Sequence, residues 1–207
     1  MISCTSSSQS SQSSPEAAKE EAAASASTQC QYRVLADQVS VKWTAFKTTD
    51  KIAVSGGFDS VDIVGAQPGG SIEDALKGIT VLVNTQSTNS NNPERDAKIV
   101  KFFFGLMKDA DKIIGDIVAV QGDEDRGDAS INLTMNGVTQ EILVPYVQER
   151  GVWVFQTEID LSEWGADSSV ASLNRACHDL HMGPDGVSKL WPTVRLEVRA
   201  PFEKTCP

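Results

Sequence analysis

From Tyr32 onward apolar residues recur mostly at every second position, the period of a strand with one covered face. VSVKWTAFK sets Val39, Val41, Trp43 and Ala45 against Ser40, Lys42 and Thr44. KGITVLVNTQS puts Ile79, Val81 and Val83 on one side. TVRLEVRA alternates Val194, Leu196, Val198 and Ala200 with Thr193, Arg195, Glu197 and Arg199. KIIGDIVAV is apolar on most of both faces, as a strand with a covered exterior is. The clearest hairpin is INLTMNGVTQEILVPY, in which Ile131, Leu133 and Met135 lead into Asn136-Gly137 and Ile142, Val144 and Tyr146 lead out. Asn-Gly supplies the two positive-φ residues that a tight hairpin turn demands. GVWVFQTEIDL follows a further turn at Glu149-Arg150-Gly151. The pattern predicts about eight strands with the turn spacing of antiparallel β.

Two stretches depart from period two. Pro93 to Lys108 has helical spacing, with Ile99, Phe103 and Leu106 on one stripe. SSVASLNRACHDLH places Val170, Leu173, Cys177 and Leu180 on another, behind a cap at Asp167 or Ser168. Many strands with two short helices fit a closed barrel with helical cover better than a sandwich, because closure leaves no sheet edge exposed. The first helix carries Phe102, Phe103 and Phe104 in a row. Helical neighbours project about 100° apart, so three in a row cannot share one surface. Phe103 continues the stripe and reads as core; Phe102 and Phe104 flank it, and one of them is the better candidate for meeting a ligand.

Composition narrows the partners. The formal net charge is −10 over 207 residues. No basic face for a phosphate backbone is visible, so the sequence argues against nucleic acid, and it offers no general attraction to anionic lipid headgroups. No apolar run approaches the ~20 residues of a membrane-spanning helix. Residues 1–30 differ from the rest: SSSQSSQSSPEAAKEEAAASAST holds only small, polar and helix-friendly residues and reads as a tether ahead of a domain at 31–207. Cys4, preceded by Ile2-Ser3 and followed by a Ser-rich spacer, resembles the tail of a bacterial lipobox, although no basic or apolar signal region precedes it. The expectation is a lipidated Cys4 and a cell-envelope protein, periplasm-facing or anchored at the outer membrane. Cys30 and Cys206 bracket the domain and are placed for a disulfide. Cys177 is then left as a small buried residue, and its pairing with either of the others stays open.

Four segments in order resemble the YceI-like family of lipocalin-like barrels that bind polyisoprenoid lipids. VKWTAFKTTDKIAVSGGFDSV is similar to the family's opening strands with a Gly-x-Phe after the first hairpin. NPERDAKIVKFFF resembles its Arg-Asp helix signature, INLTMNGVTQEILVPY its Gly-Val-Thr hairpin, and TEIDLSEWGAD the strand that precedes the last ones. The family's histidines in the first hairpin and after Arg-Asp are replaced here by Lys and Thr residues and by Lys98. The resemblance implies an all-β fold, an extended antiparallel eight-stranded lipocalin-like β-barrel with two short helices. It implies a non-enzymatic protein with no cofactor, binding an isoprenoid or quinone-like lipid in a tunnel for transport, storage or a membrane-associated stress response. The ligand-contacting residues expected on this reading are Trp43, Phe58, Phe102, Phe103, Phe104 and Met107.

Two other readings compete. CHDLH gathers Cys177, His178 and His181, and Cys177 and His181 share a helix face if the helix continues, as zinc ligands do. A structural zinc needs four ligands and no second cluster is evident, while a hydrolase lacks a Gly-x-Ser-x-Gly elbow. The acidic run GDEDRGD reads as a solvated turn. The third reading is a structural envelope lipoprotein whose barrel is filled by its own side chains.

Overall fold

The computed structural model describes residues 29–207. Cys4 and all but the last two positions of the expected tether lie outside the described residues. The strands are β1 (Gln31–Val34), β2 (Ser40–Lys47), β3 (Ile52–Phe58), β4 (Val61–Val64), β5 (Thr80–Asn84), β6 (Thr88–Asn89), β7 (Lys112–Gly122), β8 (Arg126–Met135), β9 (Val138–Glu149), β10 (Val152–Asp160) and β11 (Leu190–Thr205). Three α-helices accompany them: α1 (Ile72–Leu76), α2 (Pro93–Phe102) and α3 (Asp167–Ala176).

All ladders are antiparallel, in the order β4-β5-β7-β8-β9-β10-β11-β2-β3-β6, with β1 paired to β11. The two ends of this path are joined by the chain itself. β4 continues β3 after two residues, and β6 continues β5 after the 3-10 turn Thr85–Ser87. Gly57 pairs with Asn89 on one side of that turn and Val61 with Val83 on the other, so both pieces belong to one interrupted hairpin. The sheet therefore curls until it meets itself. Eleven strands replace the expected eight because two long strands are each broken once and β1 is an addition at the margin.

The curl has two differently built ends. At one end the β7–β8 turn is held by Tyr146, whose hydroxyl donates to the Asp123 carbonyl (2.7 Å), and by Trp153, whose indole N–H donates to the Glu124 carbonyl (3.2 Å). Trp153 stacks on Phe202 at 3.9 Å between centroids, and α1 buries Ile72, Ala75 and Leu76 there. The disulfide Cys30–Cys206 staples β1 to the end of β11. At the other end α2, α3 and the 3-10 turn Leu161–Trp164 lie across the strand ends. There Asn136, in the positive-φ position the Asn-Gly turn requires, donates its amide N–H to the Trp164 carbonyl (2.8 Å). The turn that closes the β8–β9 hairpin thus also holds this cover in place.

Candidate ligand-binding site

The inward faces of the strands enclose a cavity of about 220 Å³. The period-two positions read from the sequence supply its wall: Val39, Val41, Trp43 and Ala45 from β2 and the residue before it, Ile79, Val81 and Val83 from β5 and the residue before it, Leu133 and Met135 from β8, and Val194, Leu196 and Val198 from β11 all line it. Among the described residues Thr157 is the single hydroxyl-bearing side chain in the lining. The two indole N–H groups at the wall are already bonded, Trp43 to the Thr88 hydroxyl (3.2 Å) and Trp191 to the Thr48 carbonyl (2.7 Å). A guest in this lumen meets hydrocarbon and aromatic faces, with almost no polar group to orient it, so its affinity must come from apolar area.

The Phe run resolves into three different environments because the helix does not continue through it. Asn92 caps α2 through the Arg95 N–H (3.0 Å) and Pro93 opens its first turn, both as helix starts prefer. The helix stops at Phe102; Phe103 is its C-cap, and Phe104–Leu106 tightens into a 3-10 turn around Gly105, a poor helix former. This change of pitch brings both Phe103 and Phe104 to the cavity wall. Their rings meet edge to face at 5.0 Å, and Phe104 also touches Phe58 at 6.3 Å. Phe102 is turned away and does not line the cavity; the Lys101 ammonium lies 5.1 Å from its ring centroid. Leu106, expected on the buried stripe, is 53 % exposed for the same reason.

Of the other sequence-derived candidates, Trp43 and Phe58 line the cavity, whereas Met107 is buried behind Phe104, beside Trp164, and does not reach it. Trp43 owes its position to Gly56 across the β2–β3 ladder, where a Cβ would sit 2.4 Å from the indole. Trp191 lines the cavity and was not anticipated. Pro192 and a register shift between Leu190 and Val194 break the alternation there, so Leu190 and Trp191 both line the cavity although they are neighbours. Only the Trp itself, next to the alternating run, signals it in the sequence.

The CHDLH cluster does not form a shared face. α3 ends at Ala176, Cys177 is its buried cap, and His178–Leu180 is a 3-10 turn, so the helical four-residue spacing is lost. His178 points outward to Asp179 (3.0 Å), while His181 is buried and lies 2.8 Å from the Asn174 amide oxygen. Among the described residues no group of three His, Cys, Asp or Glu side chains gathers as metal ligands would. Burial, with Lys47 and Lys98 nearby, pushes His181 down to about 4, so it is neutral at physiological pH.

The YceI-like domain matches residues 32–202. The chain belongs to this family. Among solved structures, it is similar to a polyisoprenoid binding domain from Saccharophagus degradans implicated in plant cell wall breakdown, at 14 % identity and a TM-score of 0.58, over 85 % of this chain and 98 % of that one. It is also similar to Burkholderia cenocepacia BcnA, at 12 % identity and a TM-score of 0.55, over 82 % and 99 %. At such identities these likenesses establish the fold. No curated protein matches the chain. The matched span covers α2 and the long strands except the last three residues of β11, so the Arg-Asp segment and the Phe run of this YceI-like domain fall inside the family's own boundaries.

Proposed function

We propose that this YceI-like protein binds a long apolar lipid of the isoprenoid or quinone type in the barrel lumen, without catalysing a reaction, and serves its transport or storage at a bacterial envelope membrane. The observation that supports this reading is the lumen itself, a cavity walled by Val, Ile, Leu and aromatic side chains in a YceI-like domain whose fold is similar to that of a polyisoprenoid binding domain. Every ~300 Å² of tail surface hidden there is worth ~7 kcal/mol before ordering costs. Trp43, Phe58, Phe103 and Phe104 are the proposed aromatic contacts, and Trp191 joins them; Phe102 and Met107 act on the lumen only through their neighbours. Lipidation of Cys4 provides the anchor in this reading.

Organic extraction of protein purified from its native envelope, followed by mass spectrometry, tests the binding. The expected result is a stoichiometric isoprenoid lipid, with saturable uptake of a fluorescent polyprenyl probe by the emptied protein. Absence of both leaves the structural-lipoprotein alternative. For the anchor, Cys4→Ser is expected to move the protein from the membrane to the soluble fraction.

A further inference from the structure

One rim of the barrel carries apolar side chains that are exposed among the described residues. The turn between β2 and β3 and the segment after α3 are laced together: the Thr48 N–H donates to the Lys189 carbonyl (2.8 Å), the Lys47 ammonium to the Leu180 carbonyl (2.9 Å) and the Thr49 hydroxyl to Asp185 (2.7 Å). Met182 and Ser188 form an antiparallel bridge, so residues 181–189 are a small hairpin. On and beside this hairpin and turn Leu180, in the preceding 3-10 turn, is 60 % exposed, Ile52, at the start of β3, 50 %, Val187 48 % and Met182 41 %. The hairpin runs directly into Leu190 and Trp191, which line the cavity. Lys189 and Lys51 lie 3.4 Å and 4.4 Å from the centroid of the Trp191 ring.

We infer that this rim is the port of the tunnel and that it docks on a phospholipid bilayer surface. The inference rests on the lipid-binding reading, because a long isoprenoid gives up ~0.8 kcal/mol for each CH₂ exposed to water and so must pass from bilayer to lumen without crossing it. The rim is continuous with the lumen wall, and it combines exposed aliphatics with a tryptophan flanked by lysines, the arrangement suited to a membrane–water interface. Lys47, Lys51 and Lys189 are offset by Asp50, Asp179 and Asp185 on the same loops. Attachment therefore comes from apolar insertion and depends little on salt.

The test uses the full chain carrying Cys4→Ser, so that no acyl anchor contributes, with vesicles of phosphatidylcholine and phosphatidylglycerol containing a polyprenyl probe. Leu180→Glu and Val187→Glu, with Leu180→Gln to remove apolarity without charge, are compared with Leu143→Glu, 63 % exposed on the outer wall in β9. Expected are a loss of vesicle flotation and of probe extraction of roughly tenfold or more in the rim variants, the parent chain's flotation persisting at high salt, and no loss in the wall variant. Brominated lipid is expected to quench a fraction of the fluorescence, and Trp191→Phe to abolish that quenching, because Trp43, Trp153 and Trp164 are buried. Unchanged flotation in the rim variants, or an equal loss in the wall variant, overturns the port. Probe delivered from detergent separates the two ideas: rim variants should still bind it. If no variant and no parent binds it, the lipid-binding reading fails, and with it the port.

Discussion

Alanine at Phe103 and at Phe104 should separate binding from folding. Phe104 is 5 % exposed and belongs to a buried cluster with Leu133, Met135, Ile159 and Trp164. Removing such a ring costs ~3–5 kcal/mol, transfer plus cavity. For a domain of this length each kcal/mol moves the midpoint by about 2–4 °C, so Phe104→Ala should melt about 6–20 °C lower. Phe103 is half-buried and lines the cavity from the C-cap of α2, so the same change removes less buried area and should cost roughly 1–2 kcal/mol. If a lipid tail completes the burial of Phe103, that variant should lose roughly 5- to 30-fold in probe affinity at a temperature where it is fully folded, whereas Phe102→Ala, with its ring outside the cavity, should lose none. Thermal melts and titration with a polyprenyl probe, run on all three variants, give both numbers. If Phe103→Ala binds as tightly as the parent, or if affinity falls only in proportion to unfolding across the set, the ring is rim packing and the reasoning is refuted.

Other outcomes follow from single contacts. Gly56→Ala should be strongly destabilising, because the new Cβ would sit 2.4 Å from the Trp43 ring and 2.8 Å from the Asn89 carbonyl oxygen; a melt within a degree or two of the parent would contradict the packing. His181, held down to about 4 in the fold against ~6.5 unfolded, binds fewer protons when folded between those values. Its contribution, on the order of 1–3 kcal/mol, is therefore fully present above about pH 6.5 and lost as the pH falls toward 4; denaturant midpoints for the parent and His181→Asn should converge as the pH falls through that window. Reducing Cys30–Cys206, which closes a sequence separation of 176, should cost up to ~5 kcal/mol in the chain-entropy picture, read as a lower midpoint in reductant.

The lumen wall was legible because a strand's period is two and the barrel has one inside: once Val41, Trp43 and Ala45 are inward, no packing choice can turn one of them out alone. Positions governed by a change of backbone geometry were not legible. Leu106, expected on the buried stripe, is exposed, and Phe103, expected as core, joins Phe104 at the cavity wall, because the helix tightens after Phe102 and no periodicity argument carries across that break. Cys177 and His181 looked like partners only on the assumption that α3 runs on through His181, five residues past its end at Ala176. Trp191 was hidden by Pro192 and the irregularity beside it, and the strand breaks at Asp59–Ser60 and Thr85–Ser87 left no sequence signal beyond polar residues. Helices α2 and α3, the register shift beside Trp191 and the caps of α2 gather at the rim end, whereas α1 closes the other, so the sequence reads the tube better than its ends.

The two ends of the tube set a geometric condition on an anchored protein. β11 runs from the rim at Leu190 to Thr205, beside Gln31 and the disulfide, so the chain enters the domain at the end remote from the proposed port. Its 16 residues span on the order of 40 Å along the barrel once strand tilt is allowed for. The 26 residues from Cys4 to Cys30 reach at most ~90 Å fully extended, enough to run the length of the barrel and let the port face the membrane that holds the anchor. Deleting residues 7–24 leaves eight, which reach at most ~30 Å, less than the barrel's length. An anchored protein with that short tether should still take a probe from a second vesicle but no longer from its own. Uptake from its own vesicle that survives the deletion would mean that the lipid enters nearer the disulfide end, and the port would have to be moved there.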